Sequence, residues 1–330
     1  MTAVTAFAPA TVSNVACGFD VLGFALEAPG DEVTARFADR GAASAVLGDP
    51  GDPGDPGDPG DNVTIEDIQG DGGRLPRDGA KNTAGIAVRA LLEALGERRA
   101  VVLRIRKGLP LSSGLGGSAA SAAAAVVAVD ALLGAASPLT TLIACALEGE
   151  RLGAGSAHAD NIAPAICGGL VLVRCPSPPD VIQLPVPAGL TAVVVHPDLE
   201  IETAKARALL GTEVPLKDAV QQWANLGALV HGLHTGDFAV IRRSLEDTIA
   251  EPRRASLVPG LAAIKRAAVE AGALGCSLSG SGPSLFALCQ GHDVAVRVAA
   301  AMTAAVAREI GGESQTYVSA VARRGARVIG

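Results

Sequence analysis

The sequence predicts a protein of mixed helices and strands, α+β or α/β, folded as two domains. Three observations predict it. Short apolar runs such as "AVVLRIR" and "TAVVVH" alternate with helix-period stretches such as "NTAGIAVRALLEALG". The chain has 330 residues, 49% of them hydrophobic, enough for one large core or two ordinary ones, and two domains is the expectation at this length. The proline-rich "CPSPPD" interrupts the alternation, which places a boundary near residues 174–180 and divides the chain into 1–175 and 176–330.

The first half reads strand, strand, strand, helix, strand, helix, helix, strand. Its first helix spans 82–95: Ile86, Ala90, Leu91 and Ala94 share one face, Asn82 can cap the start, and Gly96 supplies the stop. In the strand 101–106, Val101, Leu103 and Ile105 alternate with Arg104 and Arg106. The alanine-rich run from Ser118 to Leu133 is long enough for a helix. After Pro176 come a strand, several helices around 202–272, two short strands near 273–290, a helix and a last strand. Residues 48–61, "GDPGDPGDPGDPGD", repeat with a period of three. Five units are too few for a collagen triple helix. Repelling aspartates and extended prolines instead predict a disordered, solvated loop inserted between two strands, with no chemistry of its own.

Composition excludes several functions. The net charge is −7, and Asp49, Asp52, Asp55, Asp58 and Asp61 of the repeat account for most of it, so nothing points to a nucleic-acid or membrane partner. The start, "MTAVTAFAPATVSN", lacks the pattern of a signal peptide, and no apolar stretch reaches 18 residues; a cytoplasmic protein is expected. Six cysteines without CxxC spacing read as reduced thiols packed as small hydrophobes.

The stretch that carries chemistry is "KGLPLSSGLGGSAAS", residues 107–121. A strand feeds a glycine-rich loop that opens a helix. The first turn of a helix leaves backbone N–H groups unpaired and carries partial positive charge, and glycines let those groups approach an anion closely. A phosphate is the expected guest, with a tight turn under a buried helix as the alternative. The loop is not a Walker A motif, since alanine follows Ser118 where no lysine precedes it, and its spacing is not that of the dinucleotide fingerprint.

This loop resembles the P-x-x-x-G-L-G-S-S-A-A loop of the GHMP kinases. "PATVSNVACGFDVLGFAL" (9–26) is similar to the N-terminal substrate motif of the homoserine kinases within that superfamily. "SLSGSGPSLFAL" (277–288) is similar to the third, glycine-rich GHMP motif, and "GERLGAGSAHADNIAPAICGGL" (149–170) resembles a stretch of the homoserine kinases. The resemblance covers about residues 4–322 in the right order. It implies a two-domain α+β GHMP-kinase fold: an N-terminal ATP-binding domain with a left-handed β-α-β unit and a ferredoxin-like C-terminal domain, with the ligands in the cleft between. The implied reaction is transfer of the γ-phosphoryl of Mg²⁺·ATP to the side-chain hydroxyl of L-homoserine, on the route to threonine. A homodimer is compatible with it. The family often has serine where this chain has Gly117, so backbone donors must serve there.

Phosphoryl transfer needs charge neutralisation and alignment more than covalent help. By resemblance Ser118 and Glu150 are the Mg²⁺ ligands; a helix cap and a solvated acid are the plainer readings. The nucleotide would lie against Pro110, Leu111, Ser112, Ser113, Gly114, Leu115, Gly116 and Gly117, with Gly280, Ser281 and Gly282 from the third motif. Lys107 would offer it a charge, or be an exposed strand-end lysine. Asn82 corresponds to a position near the adenine, though an N-cap explains it as well. Homoserine is a zwitterion with a terminal hydroxyl. Asp20 suits its ammonium, Asn14 the hydroxyl region, and Arg207 with Arg254 its carboxylate. His158 and Asp160 should line the same pocket, and Thr203 lies one turn before Arg207. Arg253 adjoins Arg254, and the E-P-x-R spacing selects the latter. Some relatives place an aspartate near the reacting hydroxyl; here that position is Asn161, which cannot take a proton, so direct transfer is expected. Two other readings stay open: a GHMP kinase for another alcohol, and a relative that binds ligands without catalysis.

Overall fold

The computed structural model describes residues 3–38, 62–153 and 157–330. The repeat at 48–61 lies outside the described residues. The first half runs β1 (Val4–Ser13), β2 (Leu22–Phe37), β3 (Val63–Gln69), α1 (Thr83–Ala94), β4 (Val101–Arg106), α2 (Gly117–Leu133), α3 (Leu139–Gly153), α4 (Ala159–Cys167), β5 (Leu170–Pro176) and β6 (Pro179–Leu184). The second runs β7 (Leu190–Pro197), α5 (Thr203–Ala208), α6 (Leu216–Thr235), α7 (Phe238–Ser244), α8 (Ala250–Arg254), α9 (Leu261–Glu270), β8 (Gly275–Leu278), β9 (Leu285–Gln290), α10 (His292–Glu309), β10 (Ser314–Ala320) and β11 (Arg327–Val328).

The fold is α+β, in two sheets. One sheet follows the order β11-β1-β2-β4-β3, with β5 also pairing β2 and β6 pairing β5. Among the described strands only β3 and β4 are parallel in it, and α1 makes the crossover between them. The other sheet is antiparallel throughout in the order β10-β7-β9-β8, the ferredoxin-like arrangement.

Three elements depart from the expected order. The helix α4 has only nine residues with Pro164 inside it, too short and interrupted to show a period; packing against α2, β1 and β2 holds it. The proline-rich stretch turns a hairpin, β5 against β6, so the chain stays in the first sheet to Leu184. After β10 the chain returns to the first sheet, where β11 pairs β1 at Ala6 and Val328.

Two features explain the local patterns. The strand β7 reads as a continuous apolar run because both its faces are covered: Ala192 and Val194 join one core cluster, Val193 and Val195 the other. The helix α2 is alanine-rich because it is buried almost all round; Ala119, Ala120 and Ala122 to Ala125 have no exposed surface. Small side chains let it lie close to β1, β2, α1, α3 and α4 at once. Phe24 of β2 and Phe286 of β9 meet edge to face at 6.0 Å, joining the two sheets. Truncating such a buried ring typically costs about 3–5 kcal/mol.

Candidate active site

One cavity of about 420 Å³ receives residues from both halves of the chain. Its floor is the loop between β4 and α2. Gly116 precedes α2 in the left-handed region, with φ of 66°, and no side chain caps the first turn of the helix. A Cβ at Gly116 would come within 2.1 Å of Thr11 Oγ1 and 2.8 Å of Asn161 Oδ1, and one at Gly114 within 2.6 Å of the carbonyls of Ser279 and Gly282. Only glycine lets the loop lie this close to its neighbours. Gly117 is different: a Cβ there meets nothing nearer than Lys107 Nζ at 3.6 Å, so the serine of relatives would fit.

Lys107 is neither an exposed strand-end lysine nor free to reach a nucleotide. Its ammonium lies under the loop, bonded to Asp31, to the Gly117 carbonyl (2.7 Å) and to Ser121 Oγ (2.8 Å). Asp31 also accepts from Gly108 N and Ser121 Oγ. The three ammonium protons are spent fixing the loop to β2 and α2. Asn82 is the N-cap of α1, accepting from Ala84 N at 3.0 Å and donating to the Pro76 carbonyl at 2.9 Å.

The acidic wall comes from α3 and α4. Glu150 is buried; its Oε2 lies 3.2 Å from His158 Nδ1, while its Oε1 has no hydrogen-bond partner among the described residues. A buried carboxylate oxygen without a partner is costly unless a cation meets it. Ser118, in the first turn of α2, lines the same cavity. A carboxylate and a hydroxyl are oxygen donors of the kind a hard cation takes while keeping waters; among the described residues no group of three or more His, Cys, Asp or Glu could hold a metal ion. Burial opposes the charge on His158, but the hydrogen bond and charge of Glu150 outweigh it and raise its pKa. Burial, then the charge of Asp20, pushes the Asp160 carboxyl up to about 6. Asn161 accepts from Thr11 Oγ1 (2.7 Å) and donates to Ser13 Oγ (3.0 Å), which fixes its amide.

The cationic wall faces it. Asn14 and Asp20 both have positive φ, 57° and 58°, in the turn between β1 and β2. Asn14 Oδ1 accepts from Asp20 N (2.8 Å), its Nδ2 donates to the Gly280 carbonyl (2.8 Å), and its own N–H donates to Asp160 (3.1 Å). Arg207 pairs with Asp20. Arg254, only 4% exposed, donates to the carbonyls of Ala206 and Gly280 and has no ion-pair partner among the described residues. Both guanidiniums lie over the Phe19 ring, at 5.5 and 5.2 Å. Thr203 Oγ1 lies 3.4 Å from Ser281 Oγ. Arg253 points elsewhere, to the Glu213 carbonyl.

Of the residues singled out from the sequence, all but Leu115 and Gly282 line this cavity. Leu115 is fully buried, its carbonyl accepting from Thr11 N. Sequence reasoning missed Thr11, Ser13 and Phe19, although all three lie inside the quoted N-terminal motif. It also missed Asp31, which no local pattern marks, and Arg74, which lines the cavity and pairs with Glu200 at 2.7 Å.

A glycine-rich loop at the head of a buried helix, a buried carboxylate with one oxygen unpaired among the described residues, and a facing cationic wall are the features of a small-molecule kinase of the two-domain GHMP class. Residues 82–169 match the family described as GHMP kinases N terminal domain, and residues 229–308 that described as GHMP kinases C terminal. A homoserine kinase of Chlorobium phaeovibrioides is 47% identical over 336 residues, covering 100% of both chains. The crystal structure of a homoserine kinase from Cytophaga hutchinsonii superposes with a TM-score of 0.91 at 46% identity, covering 100% of this chain and 98% of the other. Mevalonate kinase of L. major, at 17% identity and a TM-score of 0.68 over 95% of this chain and 94% of its own, shares the fold. The chain belongs to the homoserine kinase family.

Proposed function

We propose that the cavity binds ATP along the glycine-rich loop and L-homoserine between Asn14, Asp20, Arg207 and Arg254, and transfers the γ-phosphoryl to the side-chain hydroxyl. The products are O-phospho-L-homoserine and ADP, with one proton released, on the route to threonine. The observation that carries this reading is Arg254: a buried guanidinium with no carboxylate partner among the described residues calls for an anion, and the carboxylate of an amino acid supplies one. An uncharged sugar would leave it unpaired.

Ser118 and Glu150 would hold Mg²⁺, which supplies charge neutralisation at the phosphates when bound. The uncapped N–H groups of α2 add donors that are already oriented. Asn161 cannot act as a base and serves to orient, while His158, its pKa raised beside Glu150, favours the charged form that adds positive charge, and the hydroxyl proton leaves late. ATP as donor supports a cytoplasmic reaction. Incubation with Mg²⁺·ATP and a panel of small alcohols tests the reading: phosphohomoserine should dominate, and faster turnover of mevalonate or a sugar would overturn it.

A further inference from the structure

Behind the substrate wall, outside the cavity, lies Gln222 of α6, buried at 6% exposure. Its Nε2 donates to the Cys17 carbonyl and to Asp247 Oδ1, each at 3.0 Å. Its Oε1 accepts from Thr248 N (2.8 Å) and Thr248 Oγ1 (3.0 Å). The hydrogen-bonding capacity of the carboxamide is therefore filled. Cys17 belongs to the turn that carries Asn14, Phe19 and Asp20. Asp247 accepts from Ile249 N, Ala250 N and Glu251 N, capping α8, the five-residue helix that ends in Arg254. The turn is strained, with Asn14, Ala16 and Asp20 all at positive φ without being glycine. Such backbone persists only where its surroundings over-determine it.

We propose that Gln222 is a positioning residue for the substrate grip. One carboxamide ties the turn bearing Asp20 to the helix bearing Arg254, and so sets the spacing between the group that meets an ammonium and the group that meets a carboxylate. The inference rests on the reading that Asp20 and Arg254 hold the two charged ends of homoserine. It adds a residue that touches no substrate and whose effect should be confined to one substrate. The nucleotide end is held separately, by Lys107 and Asp31 under the loop.

The test compares Gln222→Met, which keeps volume but neither donates nor accepts as an amide does, with the wild type. The KM for homoserine should rise about tenfold or more, while the KM for ATP stays within about twofold. Turnover of 3-aminopropan-1-ol, which has no carboxylate to place, should change far less. Gln222→Asn, one methylene too short to span both partners, should show the same split and serves if the methionine variant does not fold. Asn225→Leu is the control for lost stability alone: Asn225 lies on the same helix, is as buried, and donates to the Glu246 carbonyl rather than to the turn. It should lower the melting temperature without separating the two KM values. Equal rises in both KM values, no rise in a folded Gln222 variant, or the same split in Asn225→Leu would overturn the proposal. An Arg254→Leu arm distinguishes the failures. If that variant leaves the homoserine KM unchanged, the substrate reading falls and takes the bridge with it; if it raises the KM and the Gln222 variants do not, only the bridge falls.

Discussion

Asp20 and Arg207, 187 residues apart in the chain, hold each other across the mouth of the cavity by two parallel contacts, Nη1 to Oδ1 at 2.9 Å and Nη2 to Oδ2 at 2.7 Å. The functional reading gives these residues opposite ends of one zwitterion. An incoming amino acid must exchange this pair for its own charges, ammonium to Asp20 and carboxylate toward the arginines. Arg254, already desolvated and without an ion-pair partner among the described residues, has nothing to exchange.

The two arginines should therefore differ. Arg254→Leu should lower kcat/KM for homoserine by roughly 30-fold or more, matching about 2 kcal/mol or more for losing one partner of a buried charge pair. Arg207→Leu should cost less, because the pair it gives up is partly exposed. Neither should change the KM for ATP much. With 3-aminopropan-1-ol, a poor substrate of the wild type, Arg254→Leu should lose far less. Steady-state kinetics decides; equal losses on both substrates would mean that the arginine acts on the phosphates or the fold.

Oε1 of Glu150, without a partner among the described residues, makes a second prediction. Glu150→Gln keeps the shape and removes the charge. It should lower kcat about a hundredfold or more and raise the Mg²⁺ concentration needed for half activity, with the melting temperature little changed. Wild-type turnover in this variant would remove Glu150 from the metal site.

Lys107 should matter first to stability. Its side chain is 2% exposed and that of Asp31 is fully buried, so Lys107→Met strands a buried carboxylate. A loss of about 3–5 kcal/mol is expected from chemical denaturation, and the double variant with Asp31→Asn should recover part of it. A variant of normal stability with a raised KM for ATP alone would instead put the ammonium on the nucleotide.

Asp160 gives a pH signature. Its folded-state pKa of about 6 stands above the ordinary 3.8, with burial the main cause and the charge of Asp20 the second. Between those values the folded carboxyl holds its proton while the unfolded one has lost it, so stability falls as pH rises through the window and the deficit is complete above it. Asp160→Asn removes that slope. At pH 8 the variant should be more stable than the wild type by up to about 3 kcal/mol, the gap closing toward pH 4. Its KM for homoserine should rise, since the negative wall is weakened. Urea unfolding at both pH values is the measurement, and a gap that does not change with pH would refute the assignment.

Local sequence determined what local physics can express. The strand-loop-helix at 101–133 was legible because alternation, glycines and an apolar run each act within a few residues. The order of most elements and the residues of the cavity followed from periodicity and from four ordered motifs. Tertiary structure alone decided which charges meet. Lys107 finds Asp31 across 76 residues, Arg207 finds Asp20 across 187, and Gln222 finds the Cys17 carbonyl across 205. It also decided that α4 is a helix despite Pro164, and that the proline-rich stretch turns a hairpin inside the first sheet. The physical reason is the same in each case. A backbone preference is carried by the residue and its near neighbours, whereas the partner of a buried polar group is set by desolvation, which exists only once distant segments have closed around it.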